Sequence, residues 1–170
     1  LDGLTMAWGT DGNSFSQMAK DYFEDTTVKM IDPDLPCQLN YVIVISDGHI
    51  RNASTAFNTL HTLRHGADTS KPDDDVKTLM VGYGGSYDNV RAKPIFDKLA
   101  RAGSCDQPGT YDQDVNANTY EGLDNSTNCE KAIGANTPSD LKTEVEAKIR
   151  QIIAERLSFT APSITATLEE

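Results

Sequence analysis

Tyr41-Val42-Ile43-Val44-Ile45 is the stretch that most limits what this chain can fold into: five apolar residues in succession, without alternation. A strand with one face in water alternates, whereas a strand that reads apolar throughout is expected to be covered on both faces, as in a parallel sheet. The run stops at Ser46-Asp47-Gly48, where small polar groups follow directly on the strand. Ligands of open α/β sheets sit just outside the carboxyl ends of the strands, which puts Asp47 where chemistry would be. A carboxylate there has to be solvated, paired or bound to a cation, because burying it bare is costly. The plainer reading is a Ser-Asp-Gly turn whose aspartate is solvated.

The segments around this strand alternate between helix and strand. Phe15, Met18, Ala19, Tyr22 and Phe23 recur at helical spacing, with Asp11 or Asn13 able to cap the start. Phe57, Leu60 and Leu63 mark a second helix ending at Gly66, and residues 76–82 form a second apolar strand. Val90, Ile95, Phe96, Leu99 and Ala100 belong to a third helix, with Pro94 tolerated in its first turn or so. Residues 131–135 are a short strand candidate. Thr137-Pro138-Ser139-Asp140 then reads as a helix start with a capping box, and Leu141, Val145, Ile149, Ile152 and Ile153 give that helix one apolar stripe.

The expected fold is therefore α/β, a doubly wound, mainly parallel sheet flanked by helices. Three strands are few for such a sheet, and the first clear element is a helix, so the N-terminal part of the domain is expected to lie outside this sequence. Residues 1–157 are assigned to this partial domain, with a polar insertion at residues 103–128. Residues 158–170 are expected to be an extended exit toward a following domain, in which Ile164, Ala166 and Leu168 alternate as in a strand.

Charge and cysteine usage narrow the function. The formal net charge of −11 argues against nucleic-acid binding, which needs a basic footprint, and is compatible with binding cations at carboxylates. No apolar run approaches the length of a membrane span. Cys37, Cys105 and Cys129 show no CxxC spacing, which disfavours zinc. Cys105 and Cys129 flank the polar insertion and could close it as a disulfide in an oxidising compartment, with Cys37 left to pair elsewhere or stay free.

Inside that insertion Asp112, Asp114, Asn116 and Asn118, followed by Glu121, resemble the start of a calcium loop. Ala117 replaces the glycine such loops need and Leu123 the final glutamate, so a solvated Asp/Asn-rich loop is the reading favoured over a weak Ca²⁺ site. His49, His61 and His65 do not gather around a nucleophile. His61 and His65 are spaced i,i+4 without an HExxH pattern and are read as a polar helix face.

Gly9-Thr10, the Tyr22-Phe23 pair and Cys37-Gln38-Leu39-Asn40-Tyr41 leading into the strand that ends at Ser46-Asp47-Gly48 resemble a von Willebrand factor type A domain. More narrowly they are similar to the one in bacterial type IV pilus tip-associated adhesin and biogenesis proteins of the PilC/PilY type. Residues 137–141 and the segment Ser158-Phe159-Thr160-Ala161-Pro162 resemble that family's exit toward its next domain. The resemblance implies a divalent-cation adhesion site, commonly for Mg²⁺, at the carboxyl edge of the sheet, with Thr10 and Asp47 as two of its ligands. The family's Asp-x-Ser-x-Ser loop has no counterpart: Asp11, Ser14 and Ser16 are misspaced and belong to a different loop. Two oxygens alone would hold Mg²⁺ poorly, so the remaining ligands lie on other sequence or the site is dead. The alternative for Thr10 is a helix-start hydroxyl.

By this resemblance the chain is a non-catalytic adhesion or assembly module, on the bacterial surface, at the pilus tip, or in the periplasm or outer membrane. Its partners would be other pilus subunits, a host or surface ligand, and the rest of its own polypeptide. The alternatives are a metal-dependent, phosphatase-like hydrolase, which would need a nucleophile and further ligands converging on Asp47, and a purely structural domain.

Overall fold

The computed structural model describes residues 10–25, 27, 30, 31, 38–65, 76–85, 92–105 and 129–160. In chain order the elements are β1 (Thr10–Asp11), α1 (Gly12–Phe23), β2 (Asn40–Ser46), β3 (Ile50–Arg51), α2 (Ala53–His65), β4 (Val76–Tyr83), α3 (Ala92–Ala102), β5 (Ile133–Ala135) and α4 (Pro138–Thr160). Strands β2, β4 and β5 form a parallel sheet in that order, and β1 pairs with β3, also in parallel, as a separate two-stranded ribbon. The α/β class and the parallel sheet follow the sequence pattern.

β2 and β4 are in register along the whole of β2, from Asn40 opposite Val76 to Ser46 opposite Gly82. Side chains of one parity, Val44 and Met80 among them, enter a core closed by Ile50, by Ala56, Phe57, Leu60 and Leu63 of α2, and by Ile95, Phe96 and Leu99 of α3. Phe15, Ala19 and Phe23 of α1 pack on the same core, so the three helices share one side of the sheet. Right-handed crossovers that step across a sheet in one direction place their helices that way.

The opposite face is covered unevenly. Leu79 and Val81 of β4 are buried, and α4 packs against β5 with Ile152 buried. Ile43 and Ile45, beside Leu79 and Val81 in the register, are 44% and 52% exposed. The expectation that this strand is covered on both faces is therefore corrected. Among the described residues β2 pairs with β4, and the face carrying Ile43 and Ile45 is largely exposed. The apolar stripes of α1 and α4 are likewise only partly used: Met18, Tyr22, Ile149 and Ile153 are exposed.

The end of α3 is tied to β4. Gly103 C=O accepts a hydrogen bond from Thr78 N at 2.7 Å, and a Cβ at position 103 would overlap the Thr78 side chain. Past this point Cys105 and Cys129 form the expected disulfide, with Cα atoms 4.2 Å apart. Three further contacts fasten the returning chain. Ser104 Oγ accepts from Glu130 N at 2.8 Å, Asp97 Oδ1 accepts from Ala132 N at 3.0 Å, and Lys148 Nζ donates to Glu130 Oε2 at 2.6 Å. Cys37 and the calcium-loop candidates Asp112, Asp114, Asn116 and Asn118 lie outside the described residues.

The capping box opens α4 as expected, Asp140 N donating to Thr137 Oγ1 at 3.1 Å and Thr137 N to Asp140 Oδ2 at 3.0 Å. The helix continues through Thr160, beyond residue 157 where the extended exit was expected to begin, because nothing before Pro162 forces a helix to stop. Residues 161–170 lie outside the described residues.

The disulfide closes a segment with a sequence separation of 24, so replacing Cys105 and Cys129 together by serine should lower the unfolding free energy by about 3 kcal/mol. Denaturant melts of the double variant and of oxidised wild type measure this. Non-reducing peptide mapping should recover Cys105 and Cys129 in one linked species.

Candidate functional site

The carboxyl end of β2 is where separate parts of the chain meet. β1 reaches it by pairing with β3: Thr10 N donates to His49 C=O at 3.1 Å, and Thr10 stands opposite Ile50. The hydroxyls of Thr10 and Ser46, 36 positions apart in sequence, are joined by a 2.6 Å hydrogen bond. Ser46 is buried and Asp47, the next residue, is exposed. Thr10 therefore lies at the same end of the sheet as Asp47, adjoining the residue before it.

Asp11 and Asn52 lock this corner. Asp11 caps α1, accepting from Asn13 N at 3.3 Å and from Ser14 Oγ at 2.8 Å. It also accepts from the Asn52 side-chain amide at 2.9 Å. Asn52 adopts a left-handed backbone with φ +53°, a conformation Asn tolerates better than most residues, and its C=O accepts from Thr55 N and Ala56 N at the start of α2. One carboxylate thus joins the first turns of two helices. Gly12 makes the approach possible, since a Cβ there would stand 2.8 Å from Arg51 O and 3.1 Å from the Ala56 methyl. The Asn52 and Ser14 hydrogen bonds, in that order, hold the Asp11 carboxyl below its ordinary value.

The remaining candidates separate from this corner. Ser14 serves the Asp11 cap and Ser16 is buried, its hydroxyl donating to Asn13 C=O at 3.3 Å, so neither belongs to a ligand loop. His61 and His65 lie in the second half of α2 with ring centroids 4.6 Å apart. They are half-buried, and burial lowers the His61 pKa. Among the described residues no three His, Cys, Asp or Glu side chains come together as a metal cluster.

Chemically the corner offers the Thr10 and Ser46 hydroxyls and the exposed Asp47 carboxylate, all hard oxygen donors of the kind Mg²⁺ and Ca²⁺ take, while the Asp11 carboxylate is engaged by Asn13, Ser14 and Asn52. They fit such an ion as part of a ligand set, and an octahedral shell would need water or further groups. Sequence reading missed Ser46 and Asn52. Ser46 is the last residue of an apolar strand, and Asn52 directly precedes a helix, which is the one signal that could have drawn attention to it. No protein-family model matches the chain, and no curated protein or solved structure matches it.

Two outcomes follow from this geometry. Thr10→Val strands the Ser46 hydroxyl and should cost about 1–2 kcal/mol in urea unfolding, whereas Thr10→Ser should retain most of the stability. The Asp11 carboxyl, lowered from its ordinary value of 3.8, contributes stability that is fully present above that value and is lost as pH falls through the depressed one. The stability difference between wild type and Asp11→Ala should therefore be constant at neutral pH and shrink as the pH is taken below 3.8, as read from urea melts at a series of pH values.

Proposed function

We propose that the chain is part of a von Willebrand factor type A-like binding module. It acts without catalysis in adhesion or assembly at the tip of a bacterial type IV pilus. The observation that carries this reading is the Thr10–Ser46 hydroxyl pair, which sets Thr10 at the end of β2 beside exposed Asp47. Hydroxyl and carboxylate oxygens at the carboxyl edge of a parallel sheet suit a divalent cation, Mg²⁺ by preference, and open-sheet ligands bind at that edge. The ligands still needed would come from the rest of the polypeptide. The first turn of α1 begins two residues after Thr10, and beyond the one N–H that Asp11 caps the positive end of the helix dipole favours an anion nearby, so a partner's carboxylate could complete the coordination.

The Cys105–Cys129 disulfide agrees with an oxidising compartment such as the periplasm or cell surface, and no described helix is long and apolar enough to cross a membrane. The second reading is a structural domain without a working cation site, in which the Thr10 and Ser46 hydroxyls satisfy each other and Asp11 serves its helix cap and Asn52.

Calorimetric Mg²⁺ titration of the full-length protein decides between them. Wild type should bind Mg²⁺, and Asp47→Ala should weaken binding at least about tenfold with melting unchanged, since Asp47 is exposed and outside the core. Equal affinity in the two proteins removes Asp47 from the site. Absence of binding in wild type selects the structural domain.

A further inference from the structure

Asp-Gly occurs three times in the sequence, beginning at residues 2, 11 and 47, and the described residues include the last two pairs. This dipeptide carries an intrinsic reactivity. The amide nitrogen of the following residue can attack the aspartate Cγ, and glycine neither hinders the approach with a side chain nor restricts the backbone turn it requires. How fast the reaction runs depends on how firmly the carboxyl and the backbone are held, and here the two pairs differ.

Asp11 is held on every side. Its carboxylate accepts from Asn13 N, Ser14 Oγ and the Asn52 side-chain amide, and its backbone is fixed as the last residue of β1 and the cap of α1. Gly12 is buried in the first turn of α1, packed so closely that a Cβ would stand 2.8 Å from Arg51 O. Asp47 has none of these restraints. It is exposed, and with Gly48 it lies in the bend between β2, which ends at Ser46, and β3, which begins at Ile50. Neither residue is part of a strand ladder, and among the described residues no hydrogen bond or ion pair engages the Asp47 carboxylate. The carboxyl that must shed water belongs to exposed Asp47, and buried Gly48 contributes only its own nitrogen.

We propose that Asp47–Gly48 is a site of spontaneous backbone isomerisation, through a succinimide to an isoaspartate. The Gly48 nitrogen bonds to Asp47 Cγ, and its proton leaves with the carboxyl hydroxyl as water. Water then opens the five-membered ring. Addition at Cγ restores aspartate, whereas addition at the main-chain carbonyl carbon routes the chain through Cβ and Cγ. The water lost in the first step is regained in the second, so the reaction needs no co-reactant and leaves the mass unchanged. The product has one more carbon in its backbone and a carboxylate attached directly to Cα. Thr10 grips this segment at both ends, its hydroxyl on Ser46 and its N–H on the His49 carbonyl. The extra carbon falls between those two contacts, so isomerisation pushes them apart and alters the polar corner.

Peptide mapping of the full-length polypeptide aged at neutral pH, with isoaspartate located by electron-transfer fragmentation, tests the proposal. Isoaspartate should accumulate at Asp47, and at least about tenfold more slowly at Asp11, where the cap and its hydrogen bonds must open first. In urea the two rates should converge, because both pairs are then the same dipeptide in an unfolded chain. Asn52→Gly, which keeps the left-handed turn but removes one hydrogen bond from the Asp11 carboxylate, should speed the reaction at Asp11 and leave that at Asp47 unchanged. Absence of isoaspartate at Asp47, or equal rates at the two sites in the folded protein, overturns the proposal. A difference that persists in urea also overturns it, since its cause would then be the local sequence, and so does an unchanged Asp11 rate in Asn52→Gly.

Discussion

The fold depends on the parallel pairing of β2 with β4. Their seven-residue register aligns Val44 with Met80, and the core that α1, α2 and α3 close is built outward from that pair. Parallel pairing requires a crossover between the strands, and right-handedness puts each crossover helix on the same side while the chain keeps stepping the same way. One face of the sheet is consequently packed. The other is covered only as far as α4 reaches, at Leu79, Val81 and β5. The exposure of Ile43 and Ile45 follows from topology, since their chemistry is that of their buried neighbours.

The same architecture explains how the chain manages a long polar insertion. Residues 103–128 have almost no apolar periodicity with which to join a core. The ends of the insertion are therefore held by specific contacts: Gly103 against Thr78, the Cys105–Cys129 disulfide, and the Glu130 and Ala132 amides on Ser104 and Asp97. Lys148 then pins Glu130 to α4, so the short strand β5 is delivered to β4 with its own helix attached. A three-residue strand has little intrinsic stability, and these clips take the place of hydrophobic burial in fixing its register.

Features carried by a repeating pattern were legible in the sequence. The 3.6-residue stripes located α1 to α4, the unbroken apolar run located β2, a largely apolar stretch located β4, and Thr137 with Asp140 announced the start of α4. Features made by contacts between distant single residues were not. β1 and β3 have two residues each, too short to show any period, and they exist because Thr10 N finds the His49 carbonyl. The left-handed turn at Asn52 and its bridge to Asp11 depend on how α1 and α2 approach, which no local pattern encodes. Burial of both faces of β2 was misread for a related reason. Non-alternation reports the environment a strand is built for, whereas the described residues supply only part of that environment. At the candidate site, Asp47 was visible as a polar residue ending an apolar strand, and Thr10 came from the family resemblance. The hydroxyl pair that joins Thr10 to Ser46 is tertiary and was not legible.

The apolar groove between α1 and β2 and the polar corner border the same strand, and this couples them physically. Asp47 follows directly on β2, so its position is only as fixed as the end of that strand. At the corner β2 is held by pairing to β4 and by one hydroxyl pair, a neutral hydrogen bond with a net contribution of about 1 kcal/mol. These contacts set how stiffly the end of β2 is held. Cation sites reward such stiffness, because Mg²⁺ demands near-ideal octahedral geometry and a mobile carboxylate must be ordered at an entropic cost when the ion binds. Pairing to β4 and the bond to Thr10 supply that order on the Ser46 side of the proposed site. The Asp11–Asn52 bridge does the same for the other half of the corner. It anchors β1 to the starts of two helices and so sets the position from which the Thr10 hydroxyl reaches Ser46.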